Sequence, residues 1–234
     1  MAVVEPLTNT ARLAERPISS GGTPMQAWTS WHRQFPPLHL EHCPALVLVA
    51  AHPDTETMGL GATAALLAGH GVVVQVVAVT DGETPGAQQR DELIAAAKRL
   101  GLARPIFLGI PAGEVADNEE RLEIEVEALL AEAAPGAWCA ANWRADGDAD
   151  HEATGRAAAE AAKDTPAVYI EYPMWMWHWA IPDDGAVPWH RARRVHLTTN
   201  AEVAKVTALQ CYSSGMLTRD VIQRQMAVGE IVFV

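Results

Sequence analysis

The chain predicts a single α/β domain built on a parallel sheet flanked by helices, and three observations carry that expectation. Short continuous apolar runs recur along the sequence, each the length of a strand buried on both faces. Segments with helical periodicity separate these runs, as right-handed crossovers between parallel strands require. The 234 residues, 49% hydrophobic and 20% charged, suit one sizeable buried core.

Residues 1–42 read as an N-terminal extension that packs on the domain at 43–234: Pro, Ser, Thr and Gly crowd around Ile18 to Pro24, and Trp28, Trp31 and Phe35 follow. Ala45 to Ala51 (ALVLVAA) is the first strand, ended by the polar His52-Pro53-Asp54. A helix is expected over Gly59 to Gly71 and a second buried strand over Val72 to Val79. The alternation continues with a helix from Gln88 to Leu100 closed by Gly101, a strand at Pro105 to Leu108 and a helix at Glu119 to Ala134. Then come a short apolar segment at Ala137 to Ala141, a helix from His151 to Lys163 and strands at Ala167 to Tyr172 and Arg193 to Thr198. One or two helices fall between Glu202 and Met226, and Ile231 to Val234 is a last strand or docked tail.

A formal net charge of −12 argues against a protein that neutralises phosphates along a nucleic acid. The three cysteines, Cys43, Cys139 and Cys211, have no metal-cluster spacing and an odd count, which points to a reducing, cytoplasmic setting. No secretory signal pattern and no membrane-length apolar run is present, so no membrane partner is expected.

In open parallel sheets ligands sit beyond the carboxyl ends of the strands. His52, Asp54 and Glu56 occupy that place after the first strand. An imidazole and a carboxylate this close on a loop suit zinc or a similar divalent ion, with Asp54 as ligand or as the base that deprotonates water. The bland alternative is that both side chains only hydrogen-bond the loop backbone. A rival comes from Gly59-Leu60-Gly61-Ala62-Thr63-Ala64 with Asp81 about 20 residues on, the dinucleotide-binding spacing. Its glycines stand too far beyond the strand for that fingerprint, and small residues there also serve close helix–sheet packing.

The second constellation, Asp146-Gly147-Asp148-Ala149-Asp150-His151, sets three carboxylates and an imidazole in a turn that opens a helix. A calcium loop is excluded by Ala157 at its twelfth position, where a glutamate belongs. His151 would meet His52 at the same sheet edge.

These residues resemble the LmbE-like, or PIG-L, deacetylases. The family pattern A-H-P-D-D-E-T-x-G stands here as Ala51-His52-Pro53-Asp54-Thr55-Glu56-Thr57-Met58-Gly59, and H-P-D-H-x-x-x-G-R as Asp148-Ala149-Asp150-His151-Glu152-Ala153-Thr154-Gly155-Arg156. The likeness extends from Leu46 to about Ser214 and takes in Val79-Thr80-Asp81-Gly82-Glu83, Arg90 with Glu92, and Lys205 with Ala208. It implies a Rossmann-like parallel sheet flanked by helices and a zinc-dependent hydrolase that removes an acetyl group from an N-acyl amino sugar or related amine. It also implies His52 and His151 as metal ligands, with position 55 as the third; Asp54 as general base; Asp150 as the group that orients its catalytic neighbour; and Arg90 as a contact to the sugar.

Four departures accompany the match. Thr55 stands where the third ligand is an aspartate, and a neutral hydroxyl offsets none of the cost of dehydrating a dication. Zinc binding is therefore expected to be weak or absent, or Asp54 becomes a ligand and leaves the base role vacant. Asp148 replaces a histidine that assists protonation or stabilises the oxyanion, a task a carboxyl performs only if it keeps a proton. Ile110-Pro111-Ala112-Gly113 replaces L-P-D-G, and Tyr212-Ser213-Ser214-Gly215 replaces H-x-S-Q. Together they put a catalytically silent relative, binding a ligand or regulating a partner, beside the active hydrolase as the alternative.

Tyr172 to Trp179 alternates aromatic and other residues, so Trp175, Trp177 and Trp179 share one face if the segment is extended. That face reads as packing, as a platform for a sugar ring, or as a contact in a homo-oligomer. His178 would then reach the site as a substitute acid, with Trp177 beside the substrate.

Overall fold

The computed structural model describes residues 7–82, 87–213 and 217–234; Glu83, Ser214 and Gly215 lie outside them. Five strands form a parallel core: β1 (Ala45–Ala50), β2 (Val73–Thr80), β3 (Ile106–Ile110), β4 (Trp138–Asn142) and β5 (Val168–Tyr172). Two short strands, β6 (Ala192–Arg194) and β7 (Ile231–Phe233), complete a seven-stranded sheet in the order β3-β2-β1-β4-β5-β7-β6. β7 runs antiparallel to both β5 and β6, so the sheet is mixed and mostly parallel. The chain order reverses at β1, which lies between β2 and β4. That switch point opens a crevice at the carboxyl ends of β1 and β4.

Every residue of β1 is buried, because helices cover both faces and successive side chains alternate between them. Val47 and Val49 face the layer containing Leu122, Val126, Ala157 and Ala158, from α5 (Glu119–Glu132) and α6 (Ala149–Lys163). Leu46 and Leu48 face Leu60, Ala64 and Leu67 of α3 (Thr55–Gly69), together with Leu93 of α4 (Ala87–Arg99).

α3 starts earlier than its apolar pattern suggests, directly after Asp54, and is broken at Leu60 (φ −132°, ψ 20°). Lys205 of α8 (Thr199–Leu209) and Glu230 fill the break. Lys205 Nζ donates to Met58 O (2.6 Å) and to Glu230 Oε1 (2.7 Å). The other half of the break is closed by the Glu230 carboxylate, which accepts from Ala62 N (2.9 Å), Thr63 N (2.8 Å) and Thr63 Oγ1 (2.5 Å). The broken helix thus recovers a cap on each side from residues remote in sequence. Gly59 and Gly61 lie within this helix, not in a nucleotide-binding turn, and a Cβ on Gly59 would strike the ring of Tyr172. Close helix–sheet packing explains the small residue.

The aromatic stretch departs from the extended reading. Asp146, fully buried, accepts from Met174 N (2.9 Å) and Met176 N (3.0 Å) through Oδ1 and from Trp175 N (2.9 Å) through Oδ2. Three consecutive N–H groups drawn to one carboxylate curl the chain into α7 (Met176–Trp179), so the three tryptophans share no extended face. Trp177 is buried against Trp28 (ring centroids 5.0 Å apart) and Trp189 (6.1 Å). Trp28 lies on α2 (Met25–Thr29) and donates from Nε1 to Trp177 O (3.0 Å). α1 (Asn9–Glu15) is fixed to the same region by Asn9 Nδ2 donating to Ala145 O (2.7 Å) and by the Arg12–Asp184 ion pair (2.7 Å). The last helix, α9 (Arg219–Val228), packs on α2 and α7. Among the described residues no helix is long and apolar enough to cross a membrane, and the three cysteines are free.

Candidate functional site

The two sequence constellations meet at the crevice. His52 leaves the end of β1, and Asp146, Asp148, Asp150 and His151 lie between the end of β4 and the first turn of α6. The His52 and His151 ring centroids are 5.7 Å apart. A ligand atom from each of His52, Asp148 and His151 lies within 4.8 Å of the other two.

The hydrogen bonds of His151 leave one nitrogen for the crevice. Nδ1 lies 2.7 Å from Asp146 Oδ2, a carboxylate that already accepts three backbone N–H groups and can only accept again. Nδ1 therefore carries the proton, and Trp175 stacks over the ring at 6.3 Å and 11°. Nε2 is buried without a hydrogen-bond partner among the described residues. A buried ring nitrogen left so is costly unless something pairs with it, and fixing a ligand imidazole through its other nitrogen is the usual support of a metal-binding histidine. Burial would lower the pKa of His151, but Asp148, Asp146 and Asp150 outweigh it and leave the ring above its ordinary value.

His52 is arranged the same way, with Nδ1 3.0 Å from Thr80 Oγ1. Thr80 Oγ1 also accepts from Gly82 N (3.1 Å), and His52 Nε2 is turned to Asp150 and Asp148 at the crevice. Burial first and the neighbouring His151 second lower the pKa of His52 to about 4, which keeps the imidazole neutral near neutral pH.

Asp148 caps α6, its Oδ1 accepting from His151 N (3.0 Å). Burial acts to raise its pKa, but His151, through its ring and its backbone N–H, and His52 together bring the carboxyl below its ordinary value. The ionised form that results is the reverse of the protonated acid this position would need to stand in for a histidine. Asp150 is buried, with Oδ2 3.4 Å from His52 Nε2, and accepts from Gly113 N (2.7 Å) and Val115 N (3.3 Å). It ties the loop after β3 to the site.

Asp54 is buried with φ +102°, a backbone conformation that costs of order 1–3 kcal/mol in a non-glycine residue and clusters at functional sites. Its N–H donates to Glu56 Oε2 (3.1 Å), while Glu56 Oε1 accepts from Tyr212 OH (2.7 Å) and Thr57 Oγ1 (2.5 Å). Burial raises the pKa of Glu56. The Thr55 hydroxyl donates to His52 O across the turn (2.9 Å).

Arg90 lies on α4, where NH1 donates to both Asp81 oxygens (3.1 Å each) and the guanidinium sits 4.3 Å from the Phe107 ring centroid. His178 is a correction. It is 1% exposed, lies 2.9 Å from Arg16 O through Nε2 and accepts from Arg224 NH1 (3.2 Å) through Nδ1. Burial and then Arg224 lower its pKa. Neither it nor Trp177, 2% exposed, is available to a substrate, because α7 turns both into the core. Sequence reasoning gave Asp146 no role beyond a rejected calcium loop. The available signal was its position five residues before His151, on the far side of Gly147 with φ +97°.

Residues 47–162 match the family model described as PIG-L: GlcNAc-PI de-N-acetylase. No curated protein matches the sequence. Among solved structures the chain is similar to the N,N'-diacetylchitobiose deacetylase of Pyrococcus horikoshii, at 18% identity and a TM-score of 0.61 over 95% of this chain and 84% of that one. A triple mutant of a deacetylase of the teicoplanin biosynthetic pathway is 21% identical, with a TM-score of 0.63 over 81% of this chain and 96% of that one. GalB of Pseudomonas putida KT2440, a 4-carboxy-2-hydroxymuconate hydratase, is 18% identical, with a TM-score of 0.57 over 79% of this chain and 83% of that one. At these identities the likeness is one of fold, and that fold hosts both deacetylases and a hydratase. The family match and the placement of both motifs at one sheet edge identify residues 47–162 as a PIG-L (LmbE-like) family domain.

Proposed function

We propose that the protein is a metal-dependent hydrolase that removes an acyl group, acetyl foremost, from an N-acylated amino sugar or related N-acyl amine. The observation that carries the reading is the Nε2 of His151, buried beside His52 and without a hydrogen-bond partner among the described residues. Two imidazoles among several carboxylates form a donor set that suits zinc and other divalent ions of intermediate softness. When bound, such an ion supplies a Lewis acid for the acyl carbonyl and makes water a nucleophile near neutral pH.

The remaining steps fall to the chain itself. His52 and His151 would hold the ion, their rings hydrogen-bonded at Nδ1 to Thr80 and Asp146. Asp54, at the strained turn after β1, takes the proton from the attacking water and returns it to the departing amine. Asp150 keeps the loop at Gly113 to Val115 against the site, and Arg90 offers donors to a sugar hydroxyl once substrate competes with Asp81. The burial of Trp177 and Trp179 withdraws the tryptophan run as a binding surface for a catalytically silent relative.

Incubation with zinc and a panel of N-acetylated amino sugars and simpler N-acyl amines tests the proposal. Equimolar free amine and acetate are expected from at least one of them. Zinc-loaded protein that hydrolyses none, yet adds water to an unsaturated carboxylate, would move the assignment to a hydratase.

A further inference from the structure

We propose that Asp148 is the third protein ligand of the metal, so that the carboxylate absent from position 55 is supplied by the second loop. This inference rests on the metal-site reading above. It differs from that reading in fixing which of four neighbouring oxygen-bearing side chains completes the set.

Thr55 brings no charge to offset the dehydration of a dication, and its hydroxyl is turned back to His52 O at 2.9 Å. Asp150 lies 3.4 Å from His52 Nε2, but its two oxygens accept from Gly113 N and Val115 N and anchor a loop. Asp146 spends both oxygens on three backbone N–H groups and on His151 Nδ1.

Asp148 is placed differently. Its Oδ1 accepts from His151 N at 3.0 Å, which fixes the direction of the carboxylate, and the side chain remains 25% exposed at the crevice. Its Oδ1 is 4.0 Å from His52 Nε2. A divalent ion with ligand bonds of about 2.0–2.2 Å draws such a trio together through side-chain rotation. The cap also orders the ligands along the chain, because the residue whose carboxylate binds the ion is the residue that starts the helix carrying His151.

The consequence is a two-histidine, one-carboxylate set of unchanged charge, assembled from a different loop. Asp54 is thereby left free of the metal. An active deacylase is then compatible with Thr55, and no loss of affinity follows from the threonine itself.

Zinc affinity measured by competition with a chromophoric chelator, on the full chain, tests the assignment. Asn caps helices as well as Asp does, so Asp148→Asn should keep the thermal unfolding midpoint of the metal-free protein while weakening zinc binding by more than about 100-fold. Losing a hydrogen-bond partner of a ligand costs only about 10–100-fold. Asp148→Ser, which also caps, should repeat that loss, and Thr55→Ala should change affinity by less than about threefold. Zinc binding within about tenfold of wild type in both Asp148 variants overturns the assignment, as does a large loss in Thr55→Ala. If wild-type protein binds zinc no better than His52→Ala and His151→Ala, the metal site itself fails and the assignment with it.

Discussion

Asp54→Asn should lower N-acyl hydrolysis by roughly 10²–10⁴-fold, the cost of removing a general base, while zinc content stays at the wild-type level. The substitution is clean because Asn tolerates positive φ about as well as Asp, and the N–H that donates to Glu56 Oε2 is retained. Steady-state kinetics and elemental analysis of the same preparation separate the two roles open to Asp54. A variant that loses metal together with activity would make Asp54 a ligand. A variant that keeps its activity would remove Asp54 from the mechanism.

Lys205→Met should destabilise the protein by about 3–5 kcal/mol, as expected when one partner of a buried ion pair is removed and the other is left uncompensated. Lys205 and Glu230 are each 2% exposed, and the pair closes the broken turn of α3 at Met58 on one side and at Ala62 and Thr63 on the other. Glu230→Gln should cost a comparable amount, since it leaves the Lys205 ammonium buried without its carboxylate and turns an amide NH2 toward donors at Ala62, Thr63 or Lys205. Chemical denaturation monitored by tryptophan fluorescence reads both variants. A shift below about 1 kcal/mol for Lys205→Met would show that the break at Leu60 sustains itself.

The parts of this protein legible in its sequence are those whose signal is local. β1 lies in an apolar run, Ala45 to Ala51, between Pro44 and His52, and a strand covered on both faces leaves that trace. Because His52 follows β1 and His151 follows β4, the switch-point rule alone was enough to bring them to one edge. The antiparallel β6 and β7 are three residues each, too short for periodicity to give a direction. The tryptophan run misled because its period-two spacing is a propensity that a tertiary contact overrode: the Asp146 carboxylate, 28 to 30 residues away, gathers three of its N–H groups. Lys205 and Glu230 carry no local sign that they splint α3. At the site, sequence supplied the residue types, but which carboxylate faces the histidines depends on hydrogen bonds that occupy Asp146 and Asp150 and leave Asp148 turned to the crevice.

Stripping the protein with a chelator and titrating zinc back, while counting acetate released from an N-acetylated amino sugar, puts the metal-dependent hydrolase to its most direct test. Acetate release should vanish in the stripped protein and return in proportion to zinc, reaching its maximum near one ion per chain. Equal release from stripped and reloaded protein, or none at full zinc occupancy, would contradict it.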